Sequence, residues 1–517
     1  MSAYGPEPLT PTSFLLRARA VGAERTALVD GDVRRTYAEL ADRCERLAGA
    51  LAGLGVAPGD RVSVLSPNTG LALEAHFGVP WAGAVLNALN TRLSAAELAW
   101  IVGHAGSRVL LVDTDLAELG REVVGRVEGD VRLVVSGGPD DELAALLAAA
   151  PPLRVPVEDE LSLLSLNYTS GTTGTPKGVM YSHRGAYLQA LAMAAQTGLS
   201  MRSTYLWTLP MFHCNGWTFP WAVTAAAGTH VALRKVEPER IWQALRSEGV
   251  TALCAAPTVL TGLAGAQGAG AGPLPHPVTV STGGAPPSPA LLARMAELGL
   301  DVTHLYGLTE TYGPAAICDW QPEWDELDAD ERARLKARQG VANLVGQPLR
   351  VLGPGGVDVP ADGQTLGEVL LRGNNVMLGY YRDEDATAAA SHEGWFRTGD
   401  LGVLHPDGYL ELRDRSKDVI VTGGENVASI EVEQALDAHP AVLESAVVGA
   451  PDERWGEAVV AFVVLRPGQE ATEQELIAHV KGRIARYKAP QRVVFEELPK
   501  TATGKIQKFV LRERLAD

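Results

Sequence analysis

Apolar positions along this chain fall into two periods. Leu40, Cys44, Leu47, Leu51 and Leu54 recur at steps of three or four residues and so share one face of a helix. Thr36-Tyr37-Ala38-Glu39 is a capping-box pattern that opens this helix, and Gly55 is placed to end it. RVSVLSP and SRVLLVD read as short strands, with ALEAHFGVPWAGAV between them as a helix. Further on, LSLLSLNY reads as a buried strand, GVMYSH as extended, RGAYLQALAMAAQ as a helix, and VTHLY as a strand entering GLTETYG. Strands alternating with helices imply parallel sheets covered on both faces, whose ligands gather where strands end in loops. Trp217, Phe219 and Trp221 alternate as a strand would, lining a pocket or simply a core.

The pattern changes near Tyr409. GYLELRDRSKDVIVTGG reads as strand, charged turn, strand, and beyond it SIEVEQALDAHP, SAVVGAP, EAVVAFVVL and EQELIAHVKGRIARY form their own helices and strands. The expectation is an α/β protein. Its large N-terminal domain, residues 1–414, has stacked mixed or parallel sheets with helices, and a small mobile α+β domain follows over 415–517.

Composition narrows the function. A net charge of −17 argues against nucleic acid as the main partner, though not against one small polyanion in a local basic patch. Cys44, Cys214, Cys254 and Cys318 form no CxxC or CxxH pair, so the reading is buried thiols in a reducing cytoplasm rather than zinc ligands or disulfides. Residues 206–233 and 249–293 carry no Asp, Glu, Lys or Arg, but prolines and glycines interrupt both, so they predict an interior or a pocket wall and no integral membrane association. The N-terminal stretch has prolines where a signal peptide needs its apolar core.

Candidate chemistry begins at Tyr168, with YTSGTTGTPKG. Glycine-rich turns form concave anion sites from backbone N–H groups, hydroxyls add donors without bulk, and Lys177 adds a mobile positive charge. The loop does not fit GxxxxGK[ST], which disfavours an ordinary P-loop NTPase.

That stretch resembles the phosphate-loop signature of the adenylate-forming superfamily, which includes acyl-CoA synthetases, peptide-synthetase adenylation domains and luciferases. PMFHCNGW, STGGAPPSP, YGLTETYG, WFRTGDLG, LRDRSKDVIVTGGEN and PKTATGKIQK follow in the family's order, so the resemblance covers nearly the whole chain. Within the superfamily it is similar to CoA ligases acting on aliphatic or related monocarboxylic acids.

The resemblance implies that a carboxylate attacks the α-phosphate of ATP and expels pyrophosphate, after which the CoA thiol attacks the acyl-adenylate. Thr169, Ser170, Gly171, Thr172, Thr173, Gly174 and Lys177 would hold the β- and γ-phosphates, Thr309 would contact the α-phosphate, and Glu310 would support Mg²⁺ as a hard oxygen ligand. Tyr306 would offer a face to adenine, with Gly283, Gly284 and Ala285 leaving room for the flat base. Asp400 would accept both ribose hydroxyls and Arg415 would add a ribose or phosphate contact. Lys505 would bridge the attacking carboxylate and the α-phosphate, with Lys500 and Lys508 as surface charges. Lys417 matches the hinge, and Gly423, Gly424 and Glu425 the loop facing pantetheine. His213, Trp217 and Gly307 would belong to the acyl pocket. Cys214 and Asn215 stand where amino-acid-activating relatives carry an aspartate, which favours an uncharged, largely apolar acid.

The leading expectation is an ATP- and CoA-dependent acid–thiol ligase in the cytoplasm, taking Mg²⁺, ATP, CoA and a small carboxylic acid. A homodimer is left open. Two alternatives stand beside it: an enzyme performing only one half-reaction, either acyl-AMP formation for a carrier protein or thioester formation from a preformed adenylate, and a non-catalytic acyl-nucleotide binder.

Overall fold

A computed structural model of the chain describes residues 5, 7–169, 176–284, 287, 289–415, 418–422, 425–452, 455–500 and 506–516. Two sheets of the N-terminal region share one plan, a parallel centre flanked by an antiparallel hairpin and a further two-residue strand. In the seven-stranded sheet, Val85–Ala88, Arg61–Leu65, Ser107–Asp113 and Arg132–Ser136 run parallel, and Leu163–Thr169 joins them before pairing antiparallel with Lys177–Ser182. In the nine-stranded sheet, Val278–Thr282 lies parallel to Leu300–Leu308, which then turns back as Gly313–Ile317.

The helices between these sheets are apolar because both their sides are covered. Every residue of Gly70–Trp81 is buried, and its Trp81 and Phe77 share one core with Tyr37, Leu40 and Leu47 of the capping-box helix Tyr37–Gly53. The capping box forms as expected, with Thr36 Oγ1 accepting from Glu39 N and Glu39 accepting from Thr36 N at 2.8 Å. Gly55 follows the helix end at φ +84°, a conformation that favours glycine.

Where the two hairpins meet, they lock together. The Tyr181 and Tyr312 rings stack with centroids 3.6 Å apart, Ser165 Oγ lies 3.1 Å from the Tyr312 hydroxyl, and Tyr181 donates to Thr309 O at 2.6 Å. This contact brings the strand ends of both sheets to one place.

A third sheet carries Gly367–Leu371, Trp395–Leu404 and Leu410–Arg415, the last running into the charged turn. Beyond it, Val442–Asp452 and Gly456–Leu465 form a long hairpin, with Arg492–Phe495 parallel to its second strand, covered by Ser429–Asp437 and Glu473–Lys481. This smaller α+β domain has its own core, built on Val432, Leu436, Val447, Val459, Leu476 and Val480.

Two expectations need adjusting. The helix read through EQELIAHVKGRIARY ends at Lys481, with a single 3₁₀ turn later at Arg486–Lys488. Trp217, Phe219 and Trp221 are not a strand. Phe219–Ala225 is a helix, and the residues before it form a left-handed turn. All four cysteines are buried and unpaired, and among the described residues no helix is long and apolar enough to cross a membrane.

Candidate active site

Thr169 ends the strand Leu163–Thr169 and pairs with Lys177, the first residue of the returning strand, so the ends of the glycine-rich loop sit at the sheet's carboxyl edge. Ser170, Gly171, Thr172, Thr173 and Gly174 lie outside the described residues. Lys177 Nζ stands 4.9 Å from the ring centroid of Tyr380, a cation–π distance. The Tyr380 hydroxyl in turn donates to Glu310 Oε1 at 2.8 Å.

Thr309 and Glu310 occupy a 3₁₀ turn that follows Leu300–Leu308. Each carbonyl of that turn is tied down: Thr309 O accepts from Tyr181, Glu310 O from Met377 N at 2.8 Å, and Thr311 O from Asn375 Nδ2 at 3.0 Å. A turn held at every carbonyl presents its side chains in fixed directions. Cys214 Sγ donates to Thr309 Oγ1 at 3.5 Å, and burial pushes the Cys214 thiol up to about 12, so it remains a donor.

Asp400 is 4% exposed. One of its oxygens accepts from the Tyr306 hydroxyl at 2.7 Å, and the other pairs with Arg415 Nε at 3.0 Å across the Trp395–Leu404/Leu410–Arg415 ladder. The structure therefore brings Asp400, Arg415 and Tyr306 together, with the Tyr306 hydroxyl bonded to Asp400. Tyr306 is 7% exposed and packs with Ala315, Val351, Val369 and Phe396. Burial, then the Asp400 charge, holds its hydroxyl well above the ordinary tyrosine range, so it donates at working pH.

Gly283 and Gly284 follow the strand Val278–Thr282, beside the strand that carries Tyr306. Gly283 is closed in, since a Cβ there would meet Leu305 O at 2.9 Å and Trp217 Cη2 at 3.0 Å. Gly284 has φ +93° and open space where a Cβ would be. Ala285 lies outside the described residues.

In the turn that follows His213, Cys214, Asn215, Gly216, Trp217 and Thr218 all have positive φ, between 42° and 65°. Left-handed backbone costs non-glycine residues on the order of 1–2 kcal/mol each, so a run of this kind persists only where its surroundings hold it. Asn215 is the residue held: its N–H donates to Asn167 Oδ1 at 2.6 Å, and its Oδ1 accepts from Ser165 Oγ at 3.0 Å. Its Nδ2 faces His76 Nε2 at 3.4 Å. His76 donates from Nδ1 to Ala72 O at 2.7 Å, and burial lowers its pKa to about 4, which leaves Nε2 an acceptor. The turn sets Trp217 against Gly313 and sends His213 into a small cavity shared with Asn90, Leu93, Tyr168 and Thr309. Gly307 is exposed, yet its glycine is demanded by its own hairpin, because a Cβ would lie 1.9 Å from Gly313 O.

In the small domain, Lys505, Lys417, Gly423 and Gly424 lie outside the described residues, and Glu425 is exposed at the start of the strand Glu425–Val427. Lys508 is not the surface charge expected. At 14% side-chain exposure it pairs with Glu433 at 2.8 Å and bonds Ser429 Oγ, which donates to Asp414 Oδ1 at 3.1 Å. Asp414, Ser429 and Lys508 thus tie the last strand before the charged turn to the small domain. Sequence reasoning missed Tyr380, which carries no charge in its MLGYY setting, and missed the Asn167–Asn215 pairing, which only the fold creates.

The donor set suits Mg²⁺. This ion binds proteins through one or two carboxylates and completes its shell with substrate phosphate and water. Glu310 with the neighbouring Thr309 hydroxyl offers such oxygens. Among the described residues no group of three or more His, Cys, Asp or Glu is placed to hold a metal by protein ligands alone.

Residues 15–381 match the AMP-binding enzyme family, and residues 431–505 match the AMP-binding enzyme C-terminal domain. The chain is 44% identical to acetate–CoA ligase CCL3 of Humulus lupulus, over 98% of this chain and 94% of that protein. It is 45% identical to 2-methylpropanoate–CoA ligase CCL4 of the same plant, over 98% and 95%. It is 43% identical to the peroxisomal acetate/butyrate–CoA ligase AAE7 of Arabidopsis thaliana, over 98% and 94%. Among solved structures, anthranilate CoA ligase AuaEII in complex with anthranoyl-AMP superposes with a TM-score of 0.88 at 27% identity, covering 99% of this chain and 98% of that one. With most of its length matched by the family and by these relatives, the chain belongs to the AMP-binding enzymes.

Proposed function

We propose that this protein is an ATP-dependent acid–thiol ligase that converts a largely apolar monocarboxylic acid to its acyl-CoA thioester through an acyl-adenylate. The observation that carries the reading is the meeting, at the joined edges of two sheets, of a phosphate-loop lysine with a carboxylate–hydroxyl turn. Bringing one anion to another requires positive charge and fixed geometry, which is what this edge supplies.

In the first step a carboxylate oxygen of the acid bonds to the α-phosphorus of ATP, and the bond to the bridging oxygen breaks, releasing pyrophosphate. Lys177 and the loop that precedes it hold the β- and γ-phosphates, while Thr309 orients the α-phosphate. Asp400, set by Tyr306 and Arg415, receives the ribose hydroxyls. Glu310 would hold Mg²⁺, which when bound neutralises phosphate charge. Lys505 comes from the small domain to lie between the two anions. In the second step the CoA sulfur bonds to the acyl carbon and AMP leaves. The small domain turns about Lys417, at the boundary near residues 414 and 415, and brings Gly423, Gly424 and Glu425 toward pantetheine. His213, Trp217 and Gly307 border the acyl group, and the Cys214–Asn215 pair beside them offers no charge to an ammonium group. Short aliphatic acids, such as those in the relatives' names, are the first substrates to try. The compartment proposed is the cytoplasm, supported by four buried unpaired thiols that suit a reducing environment.

The test is a panel of short, medium, long and aryl acids with ATP, Mg²⁺ and CoA, with products read by mass spectrometry. Acyl-CoA formed with equal amounts of AMP and pyrophosphate is the expected result. ADP and phosphate as products would overturn the reading, as would the absence of thioester from every acid.

A further inference from the structure

Glu310 and Lys177 carry opposite charges at the ends of adjoining hairpins, where a direct pairing would neutralise both before a substrate arrived. They form no ion pair with each other among the described residues. Tyr380 stands between their chemistries instead: its hydroxyl donates to Glu310 Oε1 at 2.8 Å, and its ring faces Lys177 Nζ at 4.9 Å from the centroid.

The segment that carries Tyr380 is bonded to both neighbours through its backbone. Met377 N donates to Glu310 O at 2.8 Å on one side. On the other, Leu378 N donates to Met180 O at 2.9 Å and Tyr381 N to Gly178 O at 2.7 Å, both on the strand that Lys177 opens. Gly379 allows this close fit, with φ +143° and a Cβ position only 2.8 Å from Thr387 Cγ2. Thr387 Oγ1 then accepts from Tyr380 N at 2.9 Å. Tyr380 is 9% exposed, with its hydroxyl directed at Glu310.

We propose that Tyr380 is a positioning residue, fixing the spacing of Lys177 and Glu310 so that phosphate and metal ion are taken up together as Mg·ATP. The inference rests on the ligase reading above, in which these two residues meet ATP. A neutral hydroxyl on one carboxylate oxygen orients the group without cancelling its charge, and Glu310 Oε2 is left unengaged by described residues. A ring face similarly orients an ammonium group while leaving its protons available to phosphate.

Tyr380→Phe keeps the ring and removes only the hydroxyl, and Tyr380→Leu removes both contacts. Calorimetry with ATP in excess Mg²⁺, and separately with ATP in a chelator, reads the two contacts apart. Tyr380→Phe should weaken Mg·ATP about tenfold and leave metal-free ATP as in the wild type, the expected size for a hydrogen bond to a charged group. Tyr380→Leu should weaken both forms. Thioester formation from a supplied acyl-adenylate should be unchanged in Tyr380→Phe, whose melting temperature reports that the fold is intact. Equal affinities of wild type and Tyr380→Phe for Mg·ATP would overturn the proposal, as would equal weakening of both nucleotide forms. A wild type that binds neither form would instead overturn the ligase reading itself, and this inference with it.

Discussion

Asp400 shows how a single carboxylate is prepared. Its two oxygens meet a neutral donor in Tyr306 and a cation in Arg415, so the carboxylate is held in one orientation. Asp400→Asn should raise KM for ATP by about tenfold or more, the scale of losing a charged hydrogen bond, and should weaken use of a supplied acyl-adenylate as well, because both carry the same ribose diol. An unchanged ATP dependence would remove the ribose role. The cysteines make the opposite case. Burial pushes the thiols of Cys214, Cys254 and Cys318 up to about 12, so none is a nucleophile at neutral pH. A thiol-reactive chromophore at pH 8 should find no fast-reacting group in the folded protein, and a rapid stoichiometric reaction that abolishes activity would contradict this account.

Among the elements, the left-handed turn from Cys214 to Thr218 does most to shape the proposed acyl side. Asn215 anchors it to Asn167 through its backbone N–H and to Ser165 and His76 through its amide, so Asn215→Ala keeps the first bond but strands the buried Ser165 and His76 partners and should cost roughly 1–3 kcal/mol. The measurement is the denaturation midpoint, and no shift would mean that the turn is held elsewhere. This element also marks where sequence reasoning stops. The capping box at Thr36 to Glu39 was readable because its partners are three residues apart, and the strand Leu163–Thr169 because its centre, 164–167, is buried on both faces. The alternation of Trp217, Phe219 and Trp221 looked equally clear. It arises instead from a turn whose conformation depends on side chains from other strands, which no local period reports. Thr309, Glu310, Lys177 and Asp400 were legible through motif resemblance. Tyr380 and Lys508 were not, since one lacks charge and the other resembles an ordinary basic residue until Glu433 folds against it.

At the scale of the molecule, two sheets lock together at their hairpins, and a small domain hangs from the strand Leu410–Arg415 through Asp414, Ser429 and Lys508. The large domain also buries histidines in neutral form: burial lowers His76, His183 and His304 to about 4 and His230 to about 3, from 6.5 when unfolded. Below pH 6.5 the unfolded chain gains protons that the native state cannot accept, so stability present above that pH is lost as pH falls toward 4. Each such group contributes a slope approaching 1.4 kcal/mol per pH unit, about the value of one unit of pKa. The first thermal transition should therefore fall steeply between pH 6.5 and 4.5, and a flat profile would contradict the burial of these rings. The central claim, that the joined edge activates a carboxylate as its adenylate, is tested most directly by exchange of labelled pyrophosphate into ATP without CoA. The account predicts exchange that requires the acid and Mg²⁺, and that Lys505→Ala abolishes. Thioester synthesis from that same acid with no acid-dependent exchange would contradict it, because activation would then not pass through a reversible acyl-adenylate.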